Sequence, residues 1–260
     1  FITLIRTKNN MQKVAFIPAR SGSKRIKDKN IRLFNGHPLI SYTIQAAIQS
    51  HIFDEIIFAT DSEEYADIAR YYGATVPFLR EKSISGDKSP DIEWVKFMLK
   101  GLSDIGRNFD LFSILRPTSP LRLDSTIKLA FKKFLANKNY DSLRAVEKCN
   151  QHPGKMWVNN NNMLFPLMPF KVEGIPWHSS QYSSLPEIYI QNASLEICWT
   201  KTIYDMGSIS GTKIMPFITS NYEGFDINNE EDFILAESLL KAKKTSTIKI
   251  EIPPYQKLCN

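Results

Sequence analysis

An α/β fold with a doubly wound, mostly parallel sheet and a small inserted subdomain is predicted for this 260-residue chain by three observations. Short apolar runs alternate with stretches of helical periodicity, as expected when strands and helices interleave around a parallel sheet. The first apolar run leads directly into a polar, glycine-containing loop. The alternation lapses once, between about Asn150 and Glu187, in a segment carrying Pro153, Pro166, Pro169, Pro176 and Pro186.

The first run, Val14-Ala-Phe-Ile-Pro-Ala, reads as a buried strand leaving the sheet into the loop Arg20 to Asn30. Between Pro38 and Ser50, Leu39, Ile40, Ile44, Ala47 and Ile48 share one helical face, and Glu55-Ile-Ile-Phe-Ala-Thr follows as a second strand. Glu63 to Tyr72 is a helix closed by Gly73, Thr75-Val-Pro-Phe a short extended stretch, Ile92 to Leu102 a helix and Leu111 to Leu115 a strand. Beyond the irregular segment, Ile188 to Trp199 is extended, and Glu230 to Lys244 forms a closing helix with Phe233, Leu235, Ala236, Leu239 and Leu240 on its apolar face. The expected division is a core of residues 11–149 and 188–245, an inserted segment 150–187, and peripheral tails 1–10 and 246–260. The chain starts at Phe1 and Met11 immediately precedes the first strand, so residues 1–10 read as either an extension or a fragment artefact.

Composition narrows the function classes. A 43% hydrophobic content suffices for one sizeable core, and no run of about 18 apolar residues is present to span a bilayer. The first ten residues lack the basic-then-apolar layout of a signal peptide, so the expectation is a cytoplasmic protein with no membrane partner. Cys149, Cys198 and Cys259 are too scattered for a disulfide framework or zinc site and read as ordinary thiols. The net charge of +6 favours acidic partners. Its densest cluster, Lys24 to Lys29, lies in a short loop rather than on a basic helix, which suits compact phosphates and argues against nucleic acid.

That loop, Ile17-Pro-Ala-Arg-Ser-Gly-Ser-Lys-Arg-Ile-Lys-Asp-Lys-Asn30, is the strongest chemical signal. Small residues let backbone N–H groups approach an anion, and Arg20, Lys24 and Lys29 supply charge. It matches neither the Walker pattern nor the Rossmann glycine fingerprint, so alone it indicates a phosphate site without naming the ligand.

The segment resembles the nucleotide loop of the acylneuraminate cytidylyltransferases. The likeness continues in order through Ala59-Thr-Asp-Ser62, Arg80 with Asp87, Arg116-Pro-Thr-Ser-Pro-Leu-Arg122, His152-Pro-Gly-Lys155 and Gly224-Phe-Asp-Ile-Asn-Asn-Glu-Glu-Asp232. Together these span roughly residues 12–240, and their shared order is more specific than any one of them.

The resemblance implies a Rossmann-like nucleotidyltransferase that joins CTP to an acidic nine-carbon sugar of the sialic acid type, with Mg²⁺ as cofactor and a homodimer as the assembly. It implies catalytic roles for Arg20, Lys29 and Asp226, nucleotide contacts from Ser23, Lys24, Asn30, Arg80 and Asp87, and a metal bound by Asp226. Arg116, Lys155, Gln191 and Asn192 are the corresponding sugar contacts. Asp226 precedes a helix and also fits an ordinary N-terminal cap, as do Asn228 and Asn229. Family members often carry a second aspartate where this chain has Asn228; Asp61 or Asp232 would compensate only if the fold brings either close.

Tyr182 and Ile190 stand in place of two family arginines, which points to a differently substituted sugar such as a legionaminic- or pseudaminic-type acid. His152, beside Pro153, reads as a structural hydrogen-bonding residue rather than a base. Trp157, Trp177, His178 and Tyr182 fit either a sugar platform or a subunit interface. The alternatives are a cytidylyltransferase for an octulosonate and a catalytically weak nucleotide-binding protein.

Overall fold

The computed structural model describes residues 11–23, 25–86 and 88–256; the expectations for residues 1–10, Lys24, Asp87 and Cys259 lie outside these. Strand β1 (Lys13–Pro18) leads through the phosphate-type loop to a small hairpin, β2 (Leu33–Phe34) and β3 (His37–Pro38). Its turn is Asn35-Gly36, both at positive φ (44° and 92°), the backbone that a two-residue hairpin turn demands. Helix α1 (Leu39–Ser50), strand β4 (Glu55–Ala59), helix α2 (Glu63–Tyr71), helix α3 (Asp91–Asp104), strand β5 (Leu111–Ile114), helix α4 (Asp124–Ala136) and strand β6 (Ser142–Lys148) follow.

Residues 146–191 form one compact unit and the rest of the described chain another. The smaller unit contains the hairpins β7 (Trp157–Asn160) with β8 (Met163–Pro166), and β9 (Lys171–Val172) with β10 (Ile175–Pro176). Their turns, Asn161-Asn162 and Glu173-Gly174, again place both residues at positive φ. Strand β11 (Tyr189–Trp199), helix α5 (Thr200–Met206), strand β12 (Ile214–Ile218) and helix α6 (Glu230–Lys241) complete the chain.

The central sheet has the order β12-β6-β11-β5-β1-β4. Strand β1 pairs in parallel with β4 (Val14 opposite Glu55, Pro18 opposite Ala59) and with β5 (Lys13 opposite Leu111), while β11 runs antiparallel to β5. Side chains of β1 feed two cores: Val14 and Phe16 pack with Trp94, Met98, Phe112 and Ile203, and Ala15 and Ile17 pack with Leu39, Phe58, Phe131 and Phe233. Burial on both faces is what makes this strand a continuous apolar run rather than an alternating one. Cys198 lies in the first of these cores, and burial pushes its thiol up to about 12, so it is an inert core residue.

The segment expected as a peripheral C-terminal tail packs instead. Ile248 is buried, and Ile250, Ile252 and Tyr255 lie against the main core. The Lys249 carbonyl accepts from Gln49 Nε2 at 2.8 Å, the Pro253 carbonyl from Tyr71 Oη at 3.1 Å, and Tyr255 N–H donates to Tyr72 Oη at 3.1 Å. Ile248, Ile250 and Ile252 alternate with Lys249 and Glu251, which gives an extended segment one apolar side to bury.

Candidate active site

Both β1 and β4 end at the same edge of the sheet, where a doubly wound fold places its ligands. The loop leaving β1 is clamped to the residue that follows β4. Asp61 accepts from Ser21 N–H at 2.7 Å through one oxygen and from Ser21 Oγ at 3.0 Å through the other. Gly22 follows at φ 71°, a left-handed conformation that favours glycine. Ile26 is buried and pins the middle of the loop to the core. Asn30, also buried, reaches back with Nδ2 to the Arg20 carbonyl at 3.4 Å and accepts from Ile40 N–H through its own carbonyl. Ser23 is half-buried on the same loop.

Lys29 closes this loop onto a segment some 200 residues away. Its Nζ donates to the Ile227 carbonyl at 2.8 Å, and Ile227 N–H donates to the Thr118 carbonyl at 2.8 Å. Burial lowers the Lys29 pKa, Asp226 and Asp232 oppose that shift, and Arg25 and Arg20 add to it. Arg20 also acts to lower the Arg80 pKa, so Arg20, Lys29 and Arg80 are within electrostatic reach in one region. Arg20 thus acts on both other cations, with Asp226 and Asp232 opposing its effect at Lys29 and Asp61 and Asp91 opposing it at Arg80.

Asp226 is not a helix cap. The cap of α6 is Asn229, whose side chain accepts from Asp232 N–H at 2.8 Å, while Asp232 accepts from the Asn229 and Asn228 N–H groups in a capping box. Asp232 and Asp61 are thus both engaged in holding backbone. Asp226 accepts from Asn228 Nδ2 through Oδ2 at 2.9 Å, and its Oδ1 is buried without a hydrogen-bond partner among the described residues. A buried carboxylate oxygen with nothing to accept is expensive and therefore a sign of a missing ligand.

Arg80 is buried where the chain passes the end of β4. Its N–H donates to the Thr60 carbonyl at 2.7 Å and its Nη2 to the Ile84 carbonyl at 2.7 Å, with the guanidinium 5.2 Å from the Trp94 ring centroid. Arg116, just beyond β5, donates through Nη2 to Asp91 at 2.5 Å and to Glu196 at 3.1 Å; Arg144 donates to the other Glu196 oxygen at 2.5 Å. Arg122, fully buried, donates to the Arg116 and Ser194 carbonyls and to Thr43 Oγ1, with no carboxylate among these partners; burial lowers its pKa to about 9. Asn192 is engaged through Nδ2 with Thr219 Oγ1 at 2.9 Å and through Oδ1 with Ser194 N–H at 3.2 Å.

In the smaller unit, both nitrogens of His152 are occupied. Nδ1 accepts from Gly154 N–H at 2.9 Å, which leaves Nε2 as the donor to the Pro186 carbonyl at 3.1 Å. Lys155 Nζ donates to the His178 carbonyl at 3.0 Å and the Ser180 carbonyl at 2.5 Å, and lies over the Tyr182 ring. Trp177 packs against His152 and Phe170, and Trp157 against His178. Gln191 is exposed in this unit.

Of the residues singled out from sequence, Lys29 and Asp226 are brought together through Ile227, with Arg20 in range. Asp91, Trp94, Arg144 and Glu196 were not anticipated. The available signal was Glu196 itself, a charge inside the otherwise apolar run Ser194 to Trp199. Asp91 gave none, because an acid in the first turn of a helix is ordinary.

The cytidylyltransferase family model matches residues 14–163. The CMP-N,N'-diacetyllegionaminic acid synthase of Legionella pneumophila is 32% identical over 243 residues, covering 92% of this chain and 100% of that protein. The pseudaminic acid cytidylyltransferase of Campylobacter jejuni is 37% identical over 155 residues, covering 60% and 67%. Among solved structures, CMP:2-keto-3-deoxy-manno-octonic acid synthetase complexed with CTP aligns with a TM-score of 0.63 over 89% of this chain and 99% of that one, at 11% identity, which establishes a shared fold. The 4-diphosphocytidyl-2C-methyl-D-erythritol synthase of Anaerococcus prevotii aligns at 0.58 and 16% identity, covering 89% and 99%. With the family model covering more than half the chain and a full-length relative in agreement, this chain belongs to the cytidylyltransferase family.

Proposed function

We propose that the chain condenses CTP with an acidic nine-carbon sugar of the legionaminic or pseudaminic type, releasing pyrophosphate. The observation that carries this reading is the junction at Ile227, where the phosphate-type loop and Asp226 meet through Lys29. The anomeric hydroxyl attacks the α-phosphorus of CTP, the bond to the β-phosphate oxygen breaks, and the hydroxyl proton leaves to solvent or base. No covalent enzyme intermediate is required.

Arg20, Ser23, Lys29 and Asn30, with Lys24, cradle the triphosphate or base, and Arg80 with Asp87 lies against the cytidine. Their cations neutralise charge that builds on the phosphates as the bond breaks. Asp226 would hold the metal. Mg²⁺ commonly takes one or two carboxylates plus phosphate oxygens and water. The orphaned Oδ1 suits that role, and no group of three or more His, Cys, Asp and Glu among the described residues offers another. When bound, the ion supplies charge neutralisation on the phosphate oxygens.

On the sugar side, Arg116, Lys155, Gln191 and Asn192 are the proposed contacts. Tyr182 and Ile190, both exposed, replace charged guanidinium groups by an aromatic and an aliphatic surface, which suits acylamino substituents better than hydroxyls. The test is pyrophosphate release from CTP and Mg²⁺ with N-acetylneuraminic, legionaminic, pseudaminic and octulosonic acids and a no-sugar control. Release with legionaminic or pseudaminic acid is expected. Preference for the octulosonate moves the reading to that sugar class, and CTP binding with silence across the panel moves it to a nucleotide-binding protein.

We also propose a homodimer. The β7–β8 hairpin exposes apolar side chains on both of its faces, Val158, Met163 and Phe165 on one and Trp157 and Leu164 on the other, more than scattered single residues would make. Light scattering should give twice the monomer mass, and Leu164→Asp combined with Phe165→Asp should halve it; a monomeric wild type would remove the proposal.

A further inference from the structure

Four side chains in the larger unit form a chain of alternating charge: Asp91, Arg116, Glu196 and Arg144. Two positive and two negative groups cancel, so Arg116 offers directed N–H donors with little net charge around it. The inner members, Glu196 and Arg144, have side chains only 6% and 15% exposed. Arg116 and Asp91 are 29% and 30% exposed, so this end of the chain is the one open to solvent.

The two oxygens of Asp91 do different work. Oδ1 accepts from Trp94 Nε1 at 2.7 Å, and Oδ2 takes Arg116 Nη2. Trp94 is itself held in the core, edge-on to Phe16 of β1 with ring centroids 6.0 Å apart. Its ring faces the Arg80 guanidinium. Orientation is therefore passed from the sheet to Trp94, from Trp94 to Asp91, and from Asp91 to Arg116. Helix capping does not account for Asp91: α3 begins after Pro90 without a side-chain cap, and both carboxylate oxygens are directed at side chains.

We infer that Asp91 is a positioning residue for the sugar, fixing the Arg116 guanidinium between itself and Glu196 so that its remaining donors meet the acid at one angle. This rests on the proposed function, in which Arg116 contacts the sugar. Arg116 and Asp91 act as a unit: removing Arg116 leaves Asp91 a partly buried charge without its ion-pair partner, and removing Asp91 leaves Arg116 held by Glu196 alone.

The experiment measures sugar binding by calorimetry with a non-hydrolysable CTP analogue and Mg²⁺ present, alongside steady-state kinetics and thermal midpoints, for wild type, Asp91→Asn, Arg116→Gln and the double variant. Asp91→Asn loses one charge-assisted hydrogen bond, and an increase of about tenfold in sugar Kd and KM is expected, with the CTP KM within about twofold. In the Arg116→Gln background the same change should add less than about twofold, because coupled residues are not additive. Trp94→Phe removes the donor and puts a smaller aromatic ring in place of the indole; it should raise the sugar KM by about threefold.

Unchanged sugar binding in Asp91→Asn overturns the inference, as do additive effects in the double variant or equal rises in both KM values. The proposed function fails separately: a wild type that neither binds nor turns over any of the acids overturns both readings. Sugar binding in wild type that Asp91→Asn leaves untouched overturns this one alone.

Discussion

Asp226→Ala is expected to reduce sugar-dependent pyrophosphate release by at least about 100-fold, the scale seen when a group stabilising transition-state charge is removed. Its thermal midpoint should stay level or rise. The physical basis is the unpartnered Oδ1: an ordinary structural carboxylate would be satisfied, as Asp61 is by Ser21 and Asp232 by the start of α6. Asp226 instead keeps one oxygen buried and idle, a cost that a bound cation would relieve. Removing such a group abolishes function and relaxes strain at once, the opposite of what loss of a cap would do. Asp226→Asn should behave alike in activity, since an amide oxygen is a poor substitute for a carboxylate toward Mg²⁺. A midpoint lowered by several degrees, with turnover retained, would assign Asp226 to structure and leave the phosphate chemistry to the loop cations.

How much of this was legible in the sequence depends on the range of the interaction. Strands β1, β4 and β5 announce themselves as short apolar runs and helices α1, α2, α3 and α6 through local periodicity, and their observed limits fall within a few residues of the expected ones. Helix α4 goes beyond the elements expected from sequence, although Ile127, Ala130, Phe131 and Phe134 repeat at helical spacing, and all four are buried. The three hairpins were also missed. Asn35-Gly36 is a standard hairpin turn by sequence, but its flanking strands are two residues each and too short to show alternation. Asn161-Asn162 and Glu173-Gly174 lie in a proline-rich stretch that hid the same signal.

Site residues divide in the same way. The loop cations could be read from spacing. Asp91 and Arg116, 25 positions apart, and Arg144 and Glu196, 52 apart, become partners only when β5, β6 and β11 are neighbours in the sheet. Which of three candidates caps α6 was equally undecidable beforehand: Asp226, Asn228 and Asn229 all fit by type, and the choice of Asn229 depends on where Asp232 falls one turn later.

Lys29→Met is expected to lower kcat/KM for CTP by about 100-fold, more than loss of a surface contact to phosphate would, because the ammonium acts from a partly desolvated position where charge is screened less. Met keeps most of the apolar stem, so the loop should stay packed; what is lost is the charge and the bond to the carbonyl of Ile227, the residue that follows Asp226. The pH dependence separates these two losses. Burial depresses the Lys29 pKa, so folding disfavours its protonated form and the lysine costs stability at neutral pH, a cost that fades as pH rises through the folded value. Lys29→Met should therefore match or exceed the wild type in thermal midpoint at pH 7 while binding CTP poorly. Triphosphate binding restores the favourable field, so wild-type CTP affinity should fall on the alkaline side earlier than for a free lysine, and the variant should lose that limb of the profile. A variant that keeps the alkaline limb would assign it to another group and reduce Lys29 to a strut between the loop and Ile227; one that keeps full kcat/KM would remove Lys29 from the chemistry altogether.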